Sequence, residues 1–553
     1  MEPETLVEVV QNRAALFGDA IWLRYLASGD PSGPVIELSY AELARRSCAV
    51  GATLQQRHAA GDRALLVFPP GLEFVTAFFG CLFAGVIPVP AYPPDLAQKE
   101  RMLAKLHGIA RDSGARSALT ASKYLSTLEC LVPEGIQCTA TDTCDPDDAA
   151  SWLRPPISRE SVALLQYTSG STGVPKGVIV RHRHLMANER SIESKLGPVK
   201  LVVGWLPMFH DMGLIGNVLQ GLCWGSGLVL MSPVAFLKRP VRWLEAISHF
   251  RATTSGAPNF AYDLCARRVT EEDRARLDLS SWEVAYCGAE PIREITYRRF
   301  CTAFEPCGFS RSAFYPCYGL AEATLLVSGS TRGMAPRTCA FRGSALDRGD
   351  IVVAGDDGPD RRVLMSCGKP SPSEQIRIVD PQRLAPTDGI GEIWVSGPGV
   401  ASGYWGRESE SDAVFGARLA DGSGPFLRTG DLGFFYDGEL YIAGRIKDVI
   451  ILSGRNLFPQ DVEATVEAAV PSVRKGCCVA FSIDRDGAER LVIMVEHDTS
   501  SSEQIVRTIK QAVAVHHQAP VFEVALVDRG AILKTSSGKL ERYACRQAYL
   551  SRN

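Results

Sequence analysis

Residues 162–182 read VALLQYTSGSTGVPKGVIVRH. Apolar runs flank a centre built of glycine, serine, threonine and one lysine, so the stretch predicts a strand, a tight loop and a returning strand. Gly170, Gly173 and Gly177 let backbone N–H groups come close to an anion, and Thr168, Ser169, Ser171 and Thr172 offer hydroxyl donors. Lys176 adds a positive charge. The combination suits a phosphate group. It is no Walker A loop, because the spacing differs and the chain leads into a strand where a P-loop leads into a helix. The plainer alternative is a flexible Ser/Gly turn in a hairpin, which the density of donors disfavours.

Outward from this hairpin, short apolar runs alternate with helical patterns. ALLVFPP from Ala64 precedes LEFVTAFFGCLFAG from Leu72, and LVVGWLP from Leu201 precedes MGLIGNVLQGLCWG from Met212. This alternation predicts an α/β architecture. A chain of 553 residues is too long for one core, so at least two domains are expected. Residues 447–553 read as a separate small α+β unit. It holds a strand DVIILSG from Asp448, a helix opening at Pro459 with Asp461 in its first turn, strands GCCVAFSI and RLVIMVEH, the helix SEQIVRTIKQAVAVHHQ, the strand EVALVDR and a closing helix KLERYACRQAYL. A hinge is expected in Arg445–Asp448, just after a hairpin closed by Asp437-Gly438, which divides the chain into 1–446 and 447–553.

Bulk composition excludes some classes. The 46% hydrophobic and 22% charged content is that of an ordinary globular protein, and a net charge of −3 argues against a dedicated nucleic-acid binder. The opening MEPETLVEVVQNRAALFGDA reads as an amphipathic helix, not a signal peptide. The most apolar stretch, Phe74 to Ile87, is too short and glycine-broken to span a bilayer. The 16 cysteines form no CxxC pair and sit in apolar contexts, which suggests reduced, buried thiols and a cytoplasmic setting.

YTSGSTGVPKG resembles the phosphate-loop signature of the adenylate-forming superfamily of acyl-CoA synthetases, adenylation domains and luciferases. LPMFHDMGL from Leu206, YGLAEAT from Tyr318, RTGDLG from Arg428, GRIKDVIILSGRNLFPQDVE from Gly444 and KTSSGK from Lys534 follow in the superfamily's order. The resemblance implies a large N-terminal domain of stacked sheets with helices and a small mobile C-terminal domain, with ATP and Mg²⁺ as cofactors. It implies that Thr168, Ser169, Gly170, Ser171, Thr172, Gly173 and Lys176 hold phosphate, that Gly288, Ala289 and Glu290 line the adenine, and that Tyr318, Gly319, Leu320 and Ala321 complete the nucleotide site. Glu322 with Thr168 would hold Mg²⁺, Asp431 would accept both ribose hydroxyls, and Arg445 would add a ribose or phosphate contact. Lys539 is implied as the mobile catalytic cation, His210 as the residue orienting the acyl carboxylate, and Lys447 as the hinge. Taken alone, each has a plainer reading: Lys539 a solvated lysine, Glu322 a helix-start carboxylate, Asp431 a turn cap, His210 a structural histidine at a strand end.

VPAYPP from Val89, LQYTSGST from Leu165, SGAPNFAYDLC from Ser255, YCGAEPIR from Tyr286 and LMSCGKP from Leu364 resemble the fatty acyl-AMP ligases more than the acyl-CoA synthetases. An extra segment at about 336–366 reads as a helix-like SALDRG, a strand DIVVA, a turn GDDGPD and a strand RVLMS; in the ligases a segment here hinders use of CoA. An ordinary surface hairpin is the alternative. The family implies a fatty acid substrate and transfer to the phosphopantetheine thiol of a carrier protein. The chain ends at Asn553 soon after the expected last helix, so a separate carrier of a polyketide or nonribosomal peptide assembly line is expected. The acyl chain is expected along the helix after His210, near Gly213 and Gly216, and beside Gly256, Ala257 and Pro258. An acyl-CoA synthetase and a catalytically dead nucleotide-binding scaffold stand as alternatives.

Overall fold

The computed structural model describes residues 2–93, 99–169, 175–355, 358, 360–452, 455–485, 488–497, 502–535 and 538–551. Its N-terminal domain is built on two largely parallel sheets. In the first, Arg63–Val67 lies between Ile87–Ala91 and Ser117–Thr120, with Gln137–Ala140 outermost, all parallel. The second has nine strands. From one edge they run Lys369–Pro370, Leu326–Gly329, Phe314–Gly319, Val284–Cys287, Thr254–Ala257, Leu201–Gly204, Gly227–Met231, Ile21–Leu26 and Val35–Ser39. The pairs from Phe314–Gly319 through Ile21–Leu26 are parallel. Parallel strands covered on both faces are continuously apolar, which is why ALLV and LVVG read as unbroken runs. Helix Leu72–Ala84 is buried along nearly its whole length.

The phosphate-type hairpin forms as expected, with Val162–Ser169 antiparallel to Pro175–Arg181. A five-stranded antiparallel sheet follows, ending in Leu427–Tyr436 and Glu439–Arg445. Asp437 and Gly438 close that hairpin with φ of 51° and 76°, the paired positive values of a type I′ turn. The C-terminal domain has a three-stranded sheet, Val473–Arg485, Ala488–His497 and Val521–Val527, with helices Pro459–Ala469, Ser502–His517 and Arg542–Leu550. It keeps its own cores, one around Val462, Val466, Ile493 and Ile509, another around Phe481, Met494 and Tyr549.

Two expected elements differ. DVIILSG opens as a 3₁₀ turn, Ile446–Asp448, and its strand is only Ile450–Leu452, paired with Arg455–Leu457. In the extra segment, Thr338–Arg342 pairs with Arg361–Met365, but DIVVA makes only a bridge at Val353. Val352 and Val353 are exposed and have no face to bury against. Residues 356, 357 and 359 of the expected turn lie outside the described residues. All 16 cysteines are unpaired and only Cys130 is exposed. Among the described residues no helix is long and apolar enough to cross a membrane.

Candidate active site

The best-ordered corner of the site is made by the two last-named strands of the antiparallel sheet. Asp431 and Arg445 are cross-strand partners there, and Arg445 Nε donates to Asp431 Oδ1 at 2.7 Å. Tyr318, near the end of strand Phe314–Gly319, donates its hydroxyl to the other oxygen, Oδ2, at 2.8 Å. The carboxylate is 5% exposed and thereby fixed in orientation, with lone pairs left over for further donors. The Asp431 charge beside it raises the Arg445 guanidinium above its ordinary range.

Glu322 sits one short turn beyond Tyr318, in the 3₁₀ segment Ala321–Ala323. Tyr404 donates its hydroxyl to Glu322 Oε1 at 3.0 Å. The same tyrosine ring lies 5.1 Å from the Lys176 ammonium, which also pairs with Glu410. Burial raises the Glu322 carboxyl above its ordinary value, the cost of holding a carboxylate away from water without a full cation partner. The hairpin behind Lys176 is held by Asp112, which accepts from Tyr167 and from Arg407, each at 2.7 Å. Thr168 is the register partner of Lys176. Gly170, Ser171, Thr172 and Gly173 lie outside the described residues, and Ser169 is described in its backbone only.

Gly288, Ala289 and Glu290 follow strand Val284–Cys287. Ala289 has φ of 67°, a left-handed conformation uncommon for a residue with a Cβ. Glu290 accepts from the backbone N–H of Phe260 at 2.6 Å and is raised by burial.

Lys539 enters from the C-terminal domain. Its loop is braced by Thr535, whose N–H donates to the Lys539 carbonyl at 2.7 Å and whose hydroxyl accepts from the Lys539 N–H at 3.0 Å. Burial lowers the Lys539 ammonium below its ordinary value; Asp211 and Glu290 attract it, and Arg445 repels it. His210, at the cap of the helix that begins with Asp211, is lowered to about 3, chiefly by burial and then by Lys539, so it is neutral at physiological pH. Lys447, in the turn after Arg445, is also lowered by burial and by Arg445. One continuous cleft of about 2580 Å³ is lined by Thr168, Lys176, His210, Gly288, Ala289, Glu290, Tyr318, Gly319, Leu320, Ala321, Glu322, Asp431, Arg445, Lys447 and Lys539.

Most of the expected acyl-pocket residues are elsewhere. Gly216 lines the cleft. Gly213 instead faces the Pro207 carbonyl, which a Cβ would meet at 2.1 Å, and Gly256 lies beneath the Tyr286 ring, also at 2.1 Å. Ala257 is core, and Pro258 caps helix Asn259–Arg268. These small residues let other groups approach, and Phe260, Tyr286 and Leu325 line the cleft in their place. His210 does not end a strand; the strand stops at Gly204. Tyr404, Glu410 and Asp112 escaped the sequence reading. Tyr404 meets Glu322 across 82 positions, a separation at which no local pattern signals contact.

Residues 10–405 match the AMP-binding enzyme family, and residues 447–553 match the AMP domain of Disco-interacting protein 2-like proteins. The chain is 42% identical to the medium-chain-fatty-acid–acyl-carrier-protein ligase JamA of Moorena producens, over 99% of this chain and 95% of that one. It is 38% identical to a long-chain-fatty-acid–AMP ligase of Mycobacterium marinum, covering 94% and 93%. A solved fatty acyl-adenylate ligase of L. pneumophila, in complex with acyl adenylate and pyrophosphate, superposes with a TM-score of 0.79 at 38% identity, covering 99% and 96%. A structure from the study of fatty acyl-adenylate ligases of E. coli and L. pneumophila superposes at 0.89 and 32% identity, covering 99% and 98%. The chain thus belongs to the AMP-binding enzymes and, among them, to the fatty acyl-AMP ligases.

Proposed function

We propose that the enzyme activates a fatty acid as its acyl-AMP at this cleft and then passes the acyl group to the phosphopantetheine thiol of an acyl carrier protein. The observation that carries this is the half-buried Lys539, whose ammonium interacts with the charges of Asp211, Glu290 and Arg445 and with His210, on the same cleft as the Tyr318–Asp431 clamp. In the first step a carboxylate oxygen attacks the α-phosphorus and the bond to pyrophosphate breaks. Both reactants are anions, so the site must supply positive charge that is aimed at the developing transition state. Lys539 supplies it near the acyl carboxylate and α-phosphate, and Lys176 near the leaving pyrophosphate. Asp431 accepts the ribose hydroxyls, and neutral His210 orients the carboxylate without adding charge. The half-buried carboxylate of Glu322 and the hydroxyl of Thr168 are hard oxygen donors suited to Mg²⁺. When bound, Mg²⁺ neutralises phosphate charge.

In the second step the thiolate attacks the acyl carbonyl and AMP leaves. Lys539 occupies the approach to that carbonyl, so the C-terminal domain, bounded at 446/447 and pivoting at Lys447, must turn away first. Support for the boundary comes from the second family match, which begins at the same residue. Discrimination against CoA fits a tether between the 336–366 segment and this domain. Asp347 accepts from Arg362 at 3.0 Å and from Arg455 at 2.8 Å, and Arg362 pairs with Asp461 at 3.3 Å. A carrier from polyketide or nonribosomal peptide assembly and a cytoplasmic setting complete the proposal; the first rests on the family resemblance, the second on unpaired cysteines.

The test is to incubate the enzyme with fatty acid, ATP and Mg²⁺, adding either CoA or a phosphopantetheinylated carrier. Acyl-AMP should accumulate with or without CoA and be consumed on adding carrier. Rapid acyl-CoA formation overturns the assignment.

A further inference from the structure

The wall of the cleft beyond His210 is not purely apolar. Continuing the register of strands Leu201–Gly204, Thr254–Ala257, Val284–Cys287 and Phe314–Gly319 sets Gly204, Gly256, Tyr286 and Tyr315 side by side on one face of the sheet. Tyr286 lies over Gly256, the Asn217 amide lies over Gly204, and the Tyr286 hydroxyl donates to Asn217 Oδ1. That pair fixes the floor. Above it runs the helical segment Asp211–Trp224, whose middle, Leu214–Leu219, is a π turn. Gly216 and Gln220 both line the cleft, as do Ile192 and Leu196.

Among the described residues, four buried polar atoms of the cleft's lining lack a partner, Gln166 Oε1, Trp205 Nε1, Gln220 Nε2 and Tyr315 Oη, and the last two belong to this wall. Gln220 and Tyr315 line the cleft and are each 2% exposed, and, among the described residues, Gln220 Nε2 and Tyr315 Oη have no hydrogen-bond partner. An unmet buried donor costs about 1–3 kcal/mol, so a wall meant only for alkyl chain would be better built from leucine and phenylalanine. From the His210 cap to Gln220 is roughly 15 Å of helix rise, which puts the amide well down the chain from the carboxylate.

We propose that the acyl site selects a fatty acid carrying an oxygen function, a hydroxyl or oxo group, well along its chain, with the Gln220 amide and the Tyr315 hydroxyl as the donors open to such an oxygen. This rests on the acyl-adenylating function argued above. It makes Gln220 and Tyr315 specificity residues, remote from the reacting atoms.

The test measures kcat/KM for pyrophosphate release with matched acids of equal length, plain or bearing a mid-chain or terminal hydroxyl or oxo group. Wild type should favour one oxygenated series by about tenfold or more, because plain chains leave the donors unmet. Gln220→Leu and Tyr315→Phe should each shrink that ratio, mainly by raising KM for the oxygenated acid. If wild type prefers plain acids at every length, the donors are satisfied by water and the inference falls. It falls too if both variants leave the ratio unchanged. Absence of any adenylate from either series would instead contradict the adenylating function, so the two failures are distinguishable.

Discussion

Two of the places where the C-terminal domain meets the larger one differ in kind. On the side of the 336–366 segment, Asp347 is 3% exposed in its side chain and takes two arginines, one from each domain, while Arg362 also reaches Asp461. The Asn456 N–H adds a bond to the Asp347 carbonyl at 3.2 Å. Charges there are matched. On the Lys539 side two matched pairs, Lys105–Glu541 at 2.8 Å and Arg293–Glu467 at 3.2 Å, border a half-buried lysine whose ammonium pKa burial has lowered. A matched network holds a position. An under-neutralised cation next to a nucleotide-sized cleft is poised to meet an anion, and its depressed pKa records the cost of waiting for one.

The contrast can be broken most sharply at the lysine. Lys539→Ala should lower pyrophosphate release by about a thousandfold or more, as loss of an aimed charge in a dry site does. In stopped-flow assays that supply preformed acyl-AMP, transfer to carrier should survive, because Lys539 has no part in it. Asp431→Ala frees the ribose and misplaces the α-phosphate; a drop of about a hundredfold in kcat/KM for ATP is expected. Asp347→Ala removes the shared partner of Arg362 and Arg455, leaving Arg362 only Asp461 across the domain boundary. It should slow adenylation by about tenfold while raising acyl-CoA formation, because the domain leaves the closed position more readily. Tyr404→Phe removes one hydrogen bond to Glu322 but keeps the ring under Lys176, for an expected loss of about threefold to tenfold.

The smallest effect concerns pH. His210, at about 3, is neutral across the working range, so no inflection near 6.5 should come from it. Lys539 is cationic below its lowered pKa and loses its charge as pH rises through it. The alkaline limb of kcat/KM, which reports the free enzyme, should therefore fall at a pH below the ordinary lysine value of 10.5. Lys539→Arg should remove that limb.

What could be read from residues alone follows the same division. The hairpin Val162–Arg181 was legible because apolar runs flank a centre of glycines, hydroxyls and a lysine, whereas the TGD triplet, read as a turn, lies inside strand Leu427–Tyr436. The Tyr404 contact and the Asp347 tether were not legible, since each joins residues far apart in sequence through side chains that carry no local signature. The acyl pocket misled for a third reason. A glycine says that something comes close, but not what: at position 213 it is a carbonyl, at 256 a tyrosine ring, and neither opens onto the cleft. Strand DIVVA failed because only Ile351 finds a core to pack against, while Val352 and Val353 stay exposed.

The account stands most directly on the product made without any thiol. Wild-type enzyme given a fatty acid, ATP and Mg²⁺ should yield acyl-AMP and pyrophosphate, identified by mass spectrometry, and Lys539→Ala should yield neither while still binding ATP. Acyl-AMP formed by Lys539→Ala at the wild-type rate, or no adenylate from any acid by wild type that binds ATP, would contradict it.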